Sequence, residues 1–184
     1  MNERARPPAS FQRTSLAFPR RVAASFALSV GVLLLLLLPG AGRSARAADR
    51  VVLVVVVSKG SPVQDLSLAE LRRIFTNEGD SDGTGQRYVP FNHPPHTVDR
   101  IGFDHVVLGM SPDDVSRFWI ERKIRGLPGP PRSVDSLSLL LRLIARLPGG
   151  IGYARPGQLT NDVRVIRVNG RLPNEARYPL TFSE

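Results

Sequence analysis

Residues 51–57 read VVLVVVV, six valines and a leucine with no polar interruption. The run is too short for a buried helix and lacks the alternation of a strand with one wet face. It therefore predicts a single central strand covered on both faces, with both backbone edges paired. Such a strand needs helices above and below the sheet, and the flanking sequence supplies them.

Downstream, Ser58, Lys59, Gly60, Ser61 and Pro62 end the strand with turn chemistry. Ser67 followed by Glu70 predicts a capping box, and Leu68, Leu71 and Phe75 fall on one face of the helix behind it. Residues 76–87, TNEGDSDGTGQR, contain no apolar side chain and read as a mobile surface loop. A short strand is expected at 88–91. A second helix is expected from near Thr97, burying Phe103, Val106, Val107 and Met110 and closed by Gly109. Ser111, Pro112, Asp113 and Asp114 spell the start of a third helix, with Val115, Phe118 and Trp119 as its apolar stripe. A fourth runs over about 136–147 and stops at Pro148-Gly149-Gly150, and strands follow at 151–154 and 163–168. Strands alternating with helices predict a three-layer α/β sandwich with a mainly parallel sheet over residues 48–170, and residues 171–184 read as a C-terminal tail.

Upstream, Arg4, Arg6, Arg13, Arg20 and Arg21 precede an uncharged apolar run at 22–38, which breaks at Pro39 and Gly40. This is the order of a secretory signal. Ala45-Arg46-Ala47 supplies a small-x-small cleavage pattern, so residues 1–47 read as a signal sequence cut before Ala48. An apolar run of that length is also at the lower limit for a membrane anchor, the rival reading. Arg20-Arg21 invites a twin-arginine reading, but Pro19 precedes the pair, and Ala23 and Ala24 stand where bulky apolar residues are preferred. Either way the domain is expected outside the cytoplasm, periplasmic or extracellular.

The net charge of +9 is concentrated in this leader: seven Arg and one Glu lie in residues 1–47, leaving 18 basic against 15 acidic residues beyond it. The high pI therefore does not imply a nucleic-acid surface. With no cysteine, disulfides, thiolate metal sites and N-terminal Cys lipidation are excluded.

Three segments, in this order, resemble the phosphate-binding components of bacterial ABC importers, the PstS-like group of type 2 periplasmic binding proteins. They are SPVQDLSLAELRRIFTN at 61–77, the helix start Arg100-x-x-Phe103, and LPGGIGYA at 147–154. The resemblance covers about residues 51–168 and implies a single lobe of a fold that in full has two. It also implies an oxyanion site where a loop enters a helix, built from backbone N–H groups, hydroxyls and an Arg. Aligned on Arg100 and Phe103, His93 stands where the family has an Arg, and Thr97, Val98 and Asp99 where it has Ser-Gly-Thr. Only Thr97 keeps that chemistry, and Asp99 adds a negative charge. The ligand-binding residues expected from this are His93, Thr97, Asp99 and Arg100. Ser58 joins them because a Ser/Lys/Gly loop at a strand end can also hold an anion.

His93, His96 and His105 cluster in sequence, but the Pro-Pro between the first two points side chains apart, and loop polarity explains them better than a metal site. Glu78, Asp80, Asp82 and Gly83 copy part of a calcium loop whose twelfth position is Val89 instead of Glu. No nucleophile elbow, thiol, zinc-protease or P-loop motif is present, no cofactor is implied, and Trp119 reads as core. The leading reading is an exported, non-enzymatic, solute-binding-like protein of the cell envelope, taking phosphate or another small oxyanion and partnering an ABC permease. The alternative is an interaction module that has lost its ligand and contacts an envelope protein.

Overall fold

The computed structural model describes residues 49–79 and 81–183. The signal sequence expected at 1–47, the cleavage expected before Ala48, and Asp80 of the calcium-like loop lie outside the described residues.

The valine run forms two strands. β1 (Arg50–Val52) pairs antiparallel with a strand at the far end of the chain, β9 (Thr181–Ser183), while β2 (Val54–Ser58) enters the main sheet. Of the seven side chains only Val52 is not buried. Within β2 the side chains alternate, Val55 and Val57 packing into one core and Val54 and Val56 into another on the opposite face. Hence no position could be polar.

The main sheet has the order β5-β4-β6-β2-β7, with β4 at Val89–Asn92, β5 at Arg132–Ser133, β6 at Gly150–Ala154 and β7 at Val163–Val165. β2 is an interior strand paired on both edges, as expected of the whole run, whereas β1 lies in the separate pair with β9. The α/β sandwich also stands, but the sheet is mixed rather than mainly parallel. β4 runs parallel to β5 and β6, whereas β2 runs antiparallel to β6 and β7. β2 leaves β1 at the end of the sheet where β4 and β6 finish, so it must run against them. A further small sheet pairs β3 (Asp65–Leu66) with β8 (Arg167–Val168).

The helices start where their caps place them. α1 (Leu68–Phe75) carries the complete Ser67–Glu70 capping box, α2 (Val98–Phe103) begins at Thr97 and continues into a π-helical turn (Asp104–Leu108), and α3 (Pro112–Ile124) begins at Ser111. These three pack on one face of the sheet through Leu71, Phe75, Phe103, Val107 and Val115. α4 (Leu137–Arg146) covers the other face with Leu140, Leu141 and Ile144. Its close seat depends on Gly152 of β6, where a Cβ would come within 2.6 Å of the Ile144 side chain. Among the described residues no helix is long and apolar enough to cross a membrane.

Two loop expectations change. Residues 171–183 are part of the packed unit: Tyr178 and Leu180 are buried in the larger core, and Leu53 donates to the Leu180 carbonyl at 3.0 Å. Phe182 lies on Gly102 of α2 so closely that any Cβ there would fall within its ring. The apolar alternation Tyr178, Leu180, Phe182 is a strand pattern that the reading as a tail overlooked. The segment after Phe75 is likewise organised by its own polar groups. Asp82 is buried, and its Oδ1 accepts from Thr84 N, Thr84 Oγ1 and Gln86 N at 2.6–3.0 Å.

Ser67 tests the link from sequence to helix. Its hydroxyl and backbone N–H both bond Glu70, and those bonds hold the Glu70 carboxyl below its ordinary value. A depressed carboxyl contributes stability above its unfolded pKa and loses it as pH falls through the lower folded one. Ser67→Ala should therefore lower unfolding free energy by about 1 kcal/mol at pH 7. The deficit should shrink at pH 3, as measured by urea denaturation at the two pH values.

Candidate functional site

The ends of β4 and β6 carry a buried aromatic block on which the loop 93–97 rests. Tyr153 of β6 stacks on Phe103, ring centroids 3.8 Å apart and planes at 3°, and Phe75 tilts against Phe103 at 4.6 Å. The Tyr153 hydroxyl donates to Asn92 Oδ1 at 2.5 Å, and burial pushes its pKa well above the ordinary phenol value, so it stays a neutral donor.

The expected ligand residues are mostly engaged with the protein itself. His93 is 9% exposed, leans on the Tyr153 ring and places Nε2 at 2.8 Å from the Tyr153 carbonyl oxygen. A carbonyl can only accept, so the ring donates and Nε2 carries the proton. The Thr97 hydroxyl accepts from Arg100 N at 3.3 Å and donates to Pro94 O at 2.9 Å, which makes it the helix cap. Asp99 Oδ1 accepts from both Nε and Nη2 of Arg155 at 2.8 Å, so its charge is neutralised across 56 residues of sequence. Ser58 closes β2 at the opposite end of the sheet from Thr97 and does not join this group.

Arg100 is engaged as well, but it also borders a pocket. It is 8% exposed, its Nε donates to Asp104 Oδ2 at 2.5 Å and its Nη1 to His93 O at 3.3 Å. It borders a pocket of about 230 Å³ together with Asp104, Trp119, Pro95, Val115 and Pro131. Two of these residues each bring a buried polar atom without a hydrogen-bond partner, Asp104 Oδ1 and Trp119 Nε1. Leaving such atoms unmade typically costs about 1–3 kcal/mol each, and both belong to residues that line this pocket. Burial raises the Asp104 carboxyl above its ordinary value, and the Arg100 charge and hydrogen bond pull it part of the way back. His96, also on the rim, holds φ at +73° in the left-handed region.

No family model matches the chain, and no curated protein does. Solved structures do resemble it. An ABC-type phosphate transport receptor from Vibrio cholerae matches at 17% identity and TM-score 0.58 over 72% of this chain and 54% of the receptor. PstS from Borrelia burgdorferi matches at 14% identity and TM-score 0.55 over 73% of this chain and 55% of the other. The likeness is one of fold, a mixed α/β sandwich. The chain spans about half the length of each of these two structures. The three sequence segments that suggested the resemblance fall on α1, on the start of α2 and on β6, where they supply a cap, a buried Arg and a glycine that admits Ile144.

Sequence reasoning gave no ligand role to Asp104, Trp119 or Arg155. The Arg100 to Asp104 spacing of four on a helix is a legible pairing signal. Trp119 read as core, and its ring is indeed half-buried, but its position by the pocket depends on how α3 crosses the loop at 95–97. The three histidines do not form a metal cluster among the described residues, where no three His, Asp or Glu side chains gather.

Proposed function

We propose that this chain is an exported, non-enzymatic solute-binding protein of the cell envelope, and that it takes a small oxyanion in the pocket beside Arg100. The observation that carries the reading is the trio at that pocket: a buried guanidinium, an unpartnered buried indole N–H and an unpartnered buried carboxylate oxygen. A hydrogen phosphate suits all three. Its anionic oxygens accept from Arg100 and Trp119, and its remaining hydroxyl donates to Asp104 Oδ1. A fully deprotonated sulfate lacks that donor and would face the carboxylate unshielded. Receptor-type neighbours support a binding role, and an ABC permease is the partner that such a role implies. The Arg-rich, apolar and Ala45-x-Ala47 order of residues 1–47 supports export with cleavage before Ala48. With one lobe the ion stays partly hydrated, so the affinity should be weak, with Kd around 1 mM.

Calorimetric titration with phosphate, sulfate and acetate tests the reading. Phosphate should bind at least about tenfold more tightly than sulfate, and Trp119→Phe should weaken phosphate about tenfold while leaving the melting temperature nearly unchanged. Absence of phosphate binding at 10 mM would overturn it. That outcome favours the second reading, an interaction module, for which the Asp99–Arg155 pair and the exposed apolar side chains Val98 and Ile101 on α2 speak.

A further inference from the structure

At the other end of the sheet from Arg100, the turn after β2 faces the outer side of α4 across a second cleft. Lys59 and Gly60, Arg142 and Arg146 of α4, and Thr160 and Asp162 ahead of β7 line it. The cleft measures about 460 Å³ and shares no lining residue with the Arg100 pocket. Among the described residues Arg100, Arg117, Arg122, Arg125, Arg155 and Arg167 make ion pairs, while several arginines scattered over the exposed surface do not. What sets the cleft apart is that three cations converge in it: among the described residues Lys59, Arg142 and Arg146 make no ion pair, and Asp162 is the one carboxylate in its lining. Like charges at positions i and i+4 of a helix oppose each other, so Arg142 and Arg146 are held together at a small cost to α4. A concave wall with one sign of charge concentrates the potential on an incoming anion. Two guanidinium forks and an ammonium match the several oxygens and charges of a phosphate group better than the single charge of a carboxylate.

We infer that this cleft binds a multiply charged phosphate group, carried by a soluble phosphate compound or by the headgroup of an anionic phospholipid. The Ser58-Lys59-Gly60-Ser61 turn is thereby an anion-binding element, separate from the Arg100 pocket and independent of whether that pocket holds an oxyanion. The test compares three full-length proteins: wild type, Arg142→Gln/Arg146→Gln, and the charge-matched control Arg72→Gln/Arg177→Gln on exposed positions away from the cleft. All three, the otherwise wild-type reference included, share a Trp119→Phe background, which weakens the other pocket about tenfold and equally in each. Pyrophosphate binding is measured by calorimetry, and co-sedimentation is measured with phosphatidylcholine vesicles with and without phosphatidylglycerol. A loss of pyrophosphate affinity of at least about tenfold in the cleft variant alone assigns a soluble phosphate ligand. The same loss on phosphatidylglycerol vesicles alone assigns a headgroup. Equal binding by all three proteins, or equal loss in cleft variant and control, overturns the inference. Lys59→Glu should reproduce the loss from the turn after β2.

Discussion

A chain ending at residue 170 should lose its cooperative thermal transition. The deleted segment carries Tyr178 and Leu180, both at most 3% exposed, and the strand β9 that pairs Val51 with Phe182 and Val52 with Thr181. Each lost buried side chain removes roughly 2 kcal/mol of burial free energy, and the deletion also uncovers Val51, Leu53 and Phe103, which that segment helps to shield. Against a total stability of about 5–15 kcal/mol, these losses together exceed what a small domain can absorb. Far-UV circular dichroism on heating reads the outcome, and a truncated chain melting within a few degrees of the full one would return residues 171–184 to the status of a tail. Gly102→Val gives a milder version of the same test. The new side chain would displace the Phe182 ring and detach β9 while leaving the rest of the chain intact, which limited proteolysis near the C-terminus should detect.

Arg100→Ala should cost about 3–5 kcal/mol of stability, because it leaves Asp104 buried without its cation. The sign of its pH dependence identifies the cause. The Asp104 carboxyl already lies above its ordinary value because burial disfavours its charge, with Arg100 offsetting part of that effect. Without Arg100 the folded pKa rises further. A carboxyl whose folded pKa exceeds its unfolded one destabilises the fold above the folded pKa and stops doing so as pH falls through it. The deficit of Arg100→Ala should therefore be full at pH 7 and diminish toward pH 4. Arg100→Leu/Asp104→Leu should recover most of the loss at every pH, since an apolar pair needs no desolvated charge. A deficit that is independent of pH and survives in the double variant would mean that packing, not charge, holds this site. Arg100→Ala should also remove phosphate binding, whereas Asp104→Asn should retain the guanidinium contact and lose the preference for phosphate over sulfate.

Much of the fold was legible because its determinants are local. The Ser67, Thr97 and Ser111 hydroxyls cap the helices that follow them within three residues, and the apolar spacing of α1 and α4 selects the buried face by the geometry of one helix. The unbroken valine run fixed a strand with two covered faces, since a polar side chain on either would have met a core. Arg100 was legible as a candidate because a charged residue there heads a motif-bearing helix. What the sequence could not state was direction and encounter. Strand polarity depends on where the chain re-enters the sheet, so β2 turned out antiparallel to both neighbours although its composition suits either sense. Asp99 meets Arg155 from 56 positions away. Trp119 reaches the Arg100 pocket, and Lys59 faces Arg142, only because separate elements converge there. Caps and periodicity are properties of a few adjacent residues. Charge pairing, idle buried atoms and uncompensated clefts are properties of surfaces that exist only once the layers have closed.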